Sequence, residues 1–387
     1  MRTGSRFAFV AALVGAMTLL AGCLKATVTD AQVVGPPDTG ATAFGSAFSM
    51  DEGRLVARAM LGGAPVVYVF DADGAGWTHT ATIAPPPGST SAWGRSLAVS
   101  GDTIVIADPW RALPGIEEYG LVRIYDLRDG TWHAGQQLTA GTDWSNFGDG
   151  VWLTGSGLLV RSGIVCDATC GAGQWDLYQR YGGTFRQAFT SRPERTGYKL
   201  SVGVDQGRIA VGNPGFFDYD FSGGYDNGLM VLDANVRLPA ILLDEIEPLG
   251  DPYEDEPVLV TDLYRTVDLS GDLLAYESCC ASDQRLHIRR FDGVSYQPEA
   301  TFDLTEQATW ISVLPDLILV ADAGDGVWHT FNRHDGEWTR SNDVPAPDPV
   351  AGGFATAPVA VGDRIAVRGD NVIHVLTLDV VDLGSSD

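Results

Sequence analysis

The chain has 387 residues and is strongly acidic, with 50 Asp and Glu residues against 25 Lys and Arg residues and a formal net charge of −25. Such a surface repels phosphate backbones, and no basic stretch with interleaved aromatic residues offsets this charge, so we expect no nucleic-acid partner. The length is enough for one large all-β domain or two ordinary domains.

The first 22 residues are typical of a secretory signal peptide. Arg2 and Arg6 form a short basic region, and an apolar run follows at 7–20. It ends in Leu-Ala-Gly-Cys, which resembles the lipobox of bacterial lipoproteins. The resemblance implies that Cys23 is acylated and becomes the new N-terminus. The alternative is a buried cysteine that happens to follow a signal peptide.

The residue after Cys23 bears on the location of the protein. In the proteobacterial lipoprotein pattern an aspartate at this position retains the protein at the inner membrane, and here it is Leu24. The resemblance therefore implies a lipid anchor in the outer membrane, on its periplasmic or cell-surface side. No later apolar segment approaches the ~18 residues of a membrane-spanning helix. We expect a signal peptide at 1–22, a lipidated N-terminus with a closing strand and linker at 23–43, and the folded domain at 44–387.

A hairpin motif recurs throughout the rest of the chain. Each copy is an alternating apolar run, a tight turn with Gly or Asp, and a β-branched run, as in Ser96–Pro109 and Ser201–Pro214. This pattern predicts two antiparallel strands joined by a short turn. Seven copies are visible at intervals of 44–65 residues, with equivalent points at Gly53, Asp102, Ser156, Gly207, Asp272, Asp316 and Asp363.

A third strand and a second turn follow within most copies. The turn carries Gly after a small or acidic residue and then an aromatic residue, as in Arg128–Ala134 and His334–Arg340. The second of these stretches combines His334, Asp335 and Glu337, which could suggest an acid–base site. The other copies replace the histidine and the glutamate freely, so we interpret the stretch as a turn whose aromatic residue starts the next strand.

Four antiparallel strands repeated about every 50 residues predict an all-β fold, a seven-bladed β-propeller. The seventh copy ends after its third strand, at Asn371–Val381. The β-prone segment Lys25–Val34 is expected to supply the missing outer strand and so to close the ring. The acidic stretch Asp244–Val258 is interpreted as a solvated loop and not as a domain boundary.

The repeats resemble the FG-GAP type found in bacterial and integrin-like propellers. Their units start with "FG", pass through an "SGD" turn and carry a tryptophan, and similar stretches occur here at Phe44–Phe48, Trp93–Asp102 and Phe147–Gly157. The resemblance implies the fold and not an activity. The calcium loops of the integrin-like pattern are replaced here by short turns.

The connections between second and third strands are long and form the candidate binding surface. They are 108–120, 162–173, 213–228 and 277–284, and the aromatic residues expected to be exposed in them are Trp110, Phe216, Phe217 and Tyr219. In one connection Asp218, Asp220, Ser222 and Asp226 have the alternating oxygen-bearing pattern that can wrap calcium. An alternative is that Asp and Gly simply cluster in an acidic loop, and the aromatic residues could instead pack on one another.

Four cysteines remain after Cys23. The spacing of Cys166 and Cys170 allows a disulfide that closes a small loop. The adjacent pair Cys279 and Cys280 would form a strained bridge, so an ordinary disulfide, two free thiols and a redox pair all stay open. Neither pair has zinc-site spacing.

No nucleophile elbow in a strand-to-helix turn and no metalloprotease motif occurs, and the six histidines are spread over different copies. We therefore predict a non-enzymatic, monomeric binding module for a protein or glycan, anchored by lipid, with calcium as the one candidate cofactor. The alternative function is an envelope hydrolase that acts on saccharides or peptides with carboxylates at the propeller axis. A purely structural role in the envelope is the third possibility.

Overall fold

The computed structural model describes residues 24–74, 76–113, 116–140, 146–162, 174–191, 201–205, 207–212, 229–234, 241–246, 264–278, 284–306, 308–322, 327–345 and 358–382. These residues form seven four-stranded antiparallel sheets. The sheets pack in sequence order around one axis, so the predicted seven-bladed β-propeller is confirmed.

Each blade runs outward from an inner strand at the axis. Blade 1 consists of β2 (Phe48–Met50), β3 (Arg54–Leu61), β4 (Ala64–Ala72) and β5 (Trp77–Ile83). Blade 2 consists of β6 (Leu97–Ser100), β7 (Thr103–Leu113), β8 (Ile116–Arg128) and β9 (Thr131–Leu138). Blade 3 consists of β10 (Phe147–Leu153), β11 (Gly157–Ser162), β12 (Trp175–Tyr181) and β13 (Thr184–Ser191). Blade 4 consists of β14 (Ser201–Asp205), β15 (Arg208–Gly212), β16 (Leu229–Asp233) and β17 (Ile241–Ile246).

The remaining blades follow the same path. Blade 5 consists of β18 (Tyr264–Ser270), β19 (Leu273–Ser278), β20 (Arg285–Phe291) and β21 (Tyr296–Asp303). Blade 6 consists of β22 (Ala308–Leu314), β23 (Leu317–Asp322), β24 (Val327–His334) and β25 (Glu337–Pro345). Blade 7 consists of β26 (Val359–Val361), β27 (Arg364–Arg368), β28 (Ile373–Asp382) and, as its outer strand, β1 (Leu24–Val34).

The first strand of the chain closes the ring, as predicted. β1 pairs with β28 from Leu24↔Asp382 to Val34↔Ile373, with one irregularity near Thr29. The side chain of Asn342 in blade 6 accepts a hydrogen bond from the Ala26 N–H (2.9 Å) and donates one to the Ala26 carbonyl oxygen (3.1 Å). Blade 6 therefore holds β1 from the side, while β28 holds it along its length.

The hydrophobic core lies in the seams between blades. The described residues form seven buried clusters, and each cluster joins two neighbouring blades. The middle strands are covered on both faces, which explains the nearly continuous apolar run Val66–Phe70 in β4. Outer strands such as β5 instead mix exposed and buried positions, since only some of their side chains, such as Trp77 and Ile83, reach a seam.

Connections of different length leave the two faces of the ring. The turns between first and second strands, and between third and fourth strands, define what we call the short-turn face. The connections between second and third strands, together with those between blades, define the long-loop face.

The stretch around His334 is a turn on the short-turn face, with positive φ at Asp335 (50°) and Gly336 (86°). Trp338 then packs in a seam and donates to Glu299 of blade 5 at 3.1 Å, as expected for a turn and its aromatic residue.

One prediction about the loops was wrong in part. Asp244, Glu245 and Ile246 do not belong to a loop, because they pair with Val231, Met230 and Leu229 and complete β17. The pairing gives blade 4 an outer strand that lacks the glycine–aromatic turn motif. Residues 247–258 lie outside the described residues.

No helix in the described ranges is long and apolar enough to cross a membrane.

Candidate functional site: the axial cavity and the long-loop face

The inner strands of all seven blades surround a cavity of about 990 Å³ on the propeller axis. Five carboxylates belong to its lining, those of Asp51, Glu52, Asp102, Asp205 and Asp268, together with one arginine, Arg54. This is the place where a hydrolase of this fold would need converging acids, so the contacts of these carboxylates decide what the cavity can do.

Three of the carboxylates connect one blade to the next. Asp51 in blade 1 accepts the Gly101 N–H of blade 2 at 2.6 Å, and Asp205 in blade 4 accepts the Gly271 N–H of blade 5 at 2.5 Å. Asp268 in blade 5 accepts the Val313 N–H of blade 6 at 2.9 Å. These carboxylates satisfy backbone donors on the inner strand of the next blade or in the turn that follows it, which is a structural role.

Serine hydroxyls make the same kind of bond at other seams. Ser49, Ser96 and Ser201 accept the backbone N–H groups of Val99, Val151 and Val267 at 3.2, 2.8 and 2.8 Å. In each case a short oxygen-bearing side chain on or next to an inner strand accepts a backbone N–H of the next blade. Sequence reasoning missed this set, although the repeated position of Ser or Asp on the first strand could have indicated it.

The carboxyl group of Asp268 is largely enclosed by the protein, and this burial acts on its pKa. Burial raises the pKa of Asp268 to about 7, and the nearby Asp205 adds to the rise, whereas the Val313 and Leu269 N–H groups and the Ser312 hydroxyl oppose it. A raised pKa means that the folded protein favours the protonated, uncharged form of this carboxyl group. Its contribution to the free energy of unfolding is therefore largest below its ordinary pKa near 4 and is lost as the pH rises through about 7.

We expect Asp268→Asn to remove this pH dependence. The amide oxygen can still accept the Val313 N–H but cannot ionise, so the variant should gain several degrees of melting temperature relative to the wild type at pH 8 and a smaller amount at pH 5. Thermal unfolding at both values measures the difference. Asp102→Asn is the matched control, since its side chain is 75% exposed on the cavity rim. If the Asp268→Asn variant differed from the wild type by the same amount at both pH values, the assignment would be contradicted.

The long-loop face carries the one candidate contact residue that the structure describes. Trp110 lies beyond the sheet on the extended hairpin of β7 and β8, and 47% of its surface is exposed. The Arg95 guanidinium lies over its ring at 5.0 Å. Arg95 belongs to the connection 84–96 between blades 1 and 2, so the pair joins two separate segments of this face.

Buried polar contacts hold these two segments in place. Asp108, which is only 1% exposed, accepts the N–H of Thr90 at 2.9 Å and also its hydroxyl group. Arg111 donates to the carbonyl oxygen of Pro87 at 2.9 Å. From blade 1, Arg58 donates to the carbonyl oxygens of Ser91 (2.7 Å) and Trp93 (3.0 Å). These hydrogen bonds therefore fix the positions of the two segments that carry Trp110 and Arg95.

The other residues predicted for sites lie outside the described residues. These are the lipidation residue Cys23, the disulfide candidates Cys166 and Cys170, the adjacent Cys279 and Cys280, the calcium candidates Asp218, Asp220, Ser222 and Asp226, and the aromatic residues Phe216, Phe217 and Tyr219. Calcium binding and the disulfide therefore stay predictions.

The histidines do not converge in the part of the chain that the structure describes. His287 accepts or donates a hydrogen bond at 2.6 Å with Ser278, and burial together with Arg289 and Arg285 lowers its pKa to about 4. His329 lies in blade 6, and its ring contacts Asp343 of the same blade at 2.8 Å. Within the described ranges, no three His, Cys, Asp or Glu side chains lie close enough together to hold a metal ion.

Comparisons with known proteins support the fold alone. No protein-family model matches the chain, and no curated protein matches it. The WD40 domain of coronin from Toxoplasma gondii is 12% identical with a TM-score of 0.55, over 92% of this chain and 87% of that one. KlAtg21, in its complex with the coiled coil of AgAtg16, is 11% identical with a TM-score of 0.54, over 89% and 100%. BamB from Moraxella catarrhalis is 12% identical with a TM-score of 0.48, over 91% and 100%. The first two likenesses agree with the strand order in showing that the chain is a β-propeller.

Proposed function

We propose that this protein is a lipid-anchored binding module of the bacterial cell envelope, an FG-GAP-type propeller that contacts a protein or glycan through its long-loop face. The anchor in this proposal is Cys23, which follows a signal peptide and completes a lipobox. The observation that supports the contact face best is the exposed Trp110, whose ring lies under the Arg95 guanidinium. Hydrogen bonds hold in place the two segments that carry this pair.

The chemistry of this pair suits recognition. Tryptophan and arginine are the residue types most often found at the energetic centres of protein interfaces, and a preformed surface loses little conformational entropy on binding. An aromatic ring also stacks on the apolar face of a sugar. KlAtg21, a propeller that was solved with a coiled coil, illustrates that this fold can present a surface to a protein.

The hydrolase alternative receives less support from the axial cavity. Asp51, Asp205 and Asp268 each accept a hydrogen bond from a backbone N–H of the next blade. If one of these carboxylates acted in catalysis instead, the two blades would lose that hydrogen bond. A binding function requires nothing of these acids beyond their structural contacts.

Binding of the purified protein to envelope fractions, intact cells and envelope glycans tests the proposal. We expect Trp110→Ala and Arg95→Ala each to weaken binding by about 10-fold or more, as for residues at the centre of an interface. Val294→Ala is the matched control, because Val294 is 79% exposed but lies on the short-turn face. Equal binding by all variants, or loss of binding in the Val294 variant alone, would overturn the choice of face.

A further inference from the structure

The strand that closes the ring also determines where the chain reaches the propeller. Leu24 pairs with Asp382 at the end of β28, and Val34 pairs with Ile373 at its start. Because β28 runs from the long-loop face to the short-turn face, Leu24 lies at the short-turn face. The segment that precedes Leu24 therefore joins the propeller there.

No spacer separates this point from the proposed anchor. Cys23 is covalently bonded to Leu24, which is already paired in β1, so the two Cα atoms are about 3.8 Å apart. A flexible linker of several residues would let a tethered domain rotate. Here the acyl chains would instead be attached within one residue of the outer strand of blade 7, which runs from one face of the ring to the other.

Four of the arginines on the short-turn face form ion pairs. Arg54 contacts Asp71 at 2.6 Å, Arg180 contacts Asp126 at 2.7 Å, and Arg290 contacts Asp272 at 2.6 Å. Arg333 of blade 6 contacts Glu299 of blade 5 at 2.6 Å. Such pairs stabilise the fold only weakly when exposed, but they cancel the negative charge that an anionic bilayer would repel.

The two longest connections of the long-loop face are strongly acidic in sequence. Segments 213–228 and 247–263 start and end at that face, since they follow Gly212 and Ile246 and precede Leu229 and Tyr264. They carry three and six carboxylates respectively and no Lys or Arg. Anionic lipid headgroups would repel these two connections.

Exposed apolar groups also occur on the short-turn face. Val294 is 79% exposed in the turn between β20 and β21, and Tyr181 is 47% exposed at the end of β12, next to the turn that leads to β13. The Arg186 guanidinium lies over the Tyr181 ring at 5.2 Å. Tyrosine and arginine are both favoured at the level of lipid headgroups.

From these observations we propose that the short-turn face lies against the lipid bilayer and that the long-loop face, with Trp110, points away from it. The inference rests on the proposed lipidation of Cys23. The ten residues of β28 span about 33 Å at 3.3 Å per residue, so the two faces differ greatly in their distance from the headgroups.

Depth-dependent fluorescence quenching tests the orientation. Full-length lipidated protein is reconstituted into vesicles of phosphatidylethanolamine and phosphatidylglycerol that contain a headgroup nitroxide lipid. A fluorophore is attached through an unnatural amino acid at Val294, at Asp335 or at Trp110, one site per sample. The side chain of Asp335 is 91% exposed, so labelling there should leave the fold intact. We expect at least threefold stronger quenching at residues 294 and 335 than at residue 110.

The controls separate the two proposals. Cys23→Ser protein should neither incorporate labelled palmitate nor sediment with vesicles. If the wild-type protein behaves like this variant, the proposed anchor is wrong. If the wild-type protein is lipidated and sediments, but residue 110 is quenched as strongly as residues 294 and 335 or more strongly, the anchor stands and the orientation is overturned.

Discussion

A chain that starts at Gly35 is expected to lose the cooperative unfolding transition of a chain that starts at Leu24. The shortened chain lacks β1, so blade 7 keeps three strands and β28 exposes its outer backbone groups. Ala26 and Val34, which are 1% and 5% exposed, leave the two seams that blade 7 forms with its neighbours. With about 1 kcal/mol per backbone hydrogen bond, the loss exceeds ~5 kcal/mol, a large part of the stability of an ordinary domain.

Differential scanning calorimetry and binding of a hydrophobic dye measure this effect. The matched control ends at Asp382 and lacks only residues 383–387, which follow β28. It should unfold like the chain that starts at Leu24. A milder variant, Asn342→Ala, keeps β1 but removes both hydrogen bonds between Asn342 and Ala26, and it should lower the melting temperature by a few degrees. An unchanged transition in the chain that starts at Gly35 would mean that the ring closes without β1.

Gly203→Ala is expected to be strongly destabilising. A Cβ atom at residue 203 would lie 2.7 Å from the Cα of Asp268 and 3.0 Å from the N of Leu269. Both atoms belong to the backbone of β18, so neither can move without shifting blade 5. We expect a loss of about 3 kcal/mol or more in the free energy of unfolding, at the upper end for overpacked cores.

Gly155→Ala is the control for this substitution. Gly155 lines the same axial cavity, but an added Cβ would meet nothing within 4 Å, and its φ is not in the left-handed region. The control should be neutral or slightly stabilising, because alanine restricts the unfolded chain more than glycine does. Urea unfolding of both variants gives the comparison. Equal midpoints would show that blades 4 and 5 can separate to admit a methyl group.

The repeat pattern was sufficient to predict much of the architecture. The third strand predicted within most copies is present where the pattern indicates it, as in β4 (Ala64–Ala72) and β20 (Arg285–Phe291). Alternation of apolar residues and turn chemistry are local properties, and they recur seven times, so each copy supports the interpretation of the others. The closing strand could be predicted for a related reason, since a ring whose last blade has three strands leaves an open edge.

The strand β17 could not be predicted in the same way. Its sequence, Ile-Leu-Leu-Asp-Glu-Ile, lacks the glycine–aromatic turn and contains two acids that resemble the loop that follows. β17 pairs with the outer edge of β16, and that edge exists only after the first three strands of blade 4 have assembled into a sheet. The same holds for Trp110, whose sequence indicates an exposed aromatic residue but not its stacking with Arg95 from another connection.

By itself the sequence determined the number of blades, their strand order and the segment that closes the ring, because these depend on periodicity and turn residues along the chain. Only the tertiary structure decided what the axial carboxylates do. Asp51, Asp205 and Asp268 have the residue type of a catalytic acid, and their N–H partners lie 45 to 66 residues away in the next blade. Contacts of that range form only when neighbouring blades pack together, so no local pattern distinguishes a seam carboxylate from a reactive one.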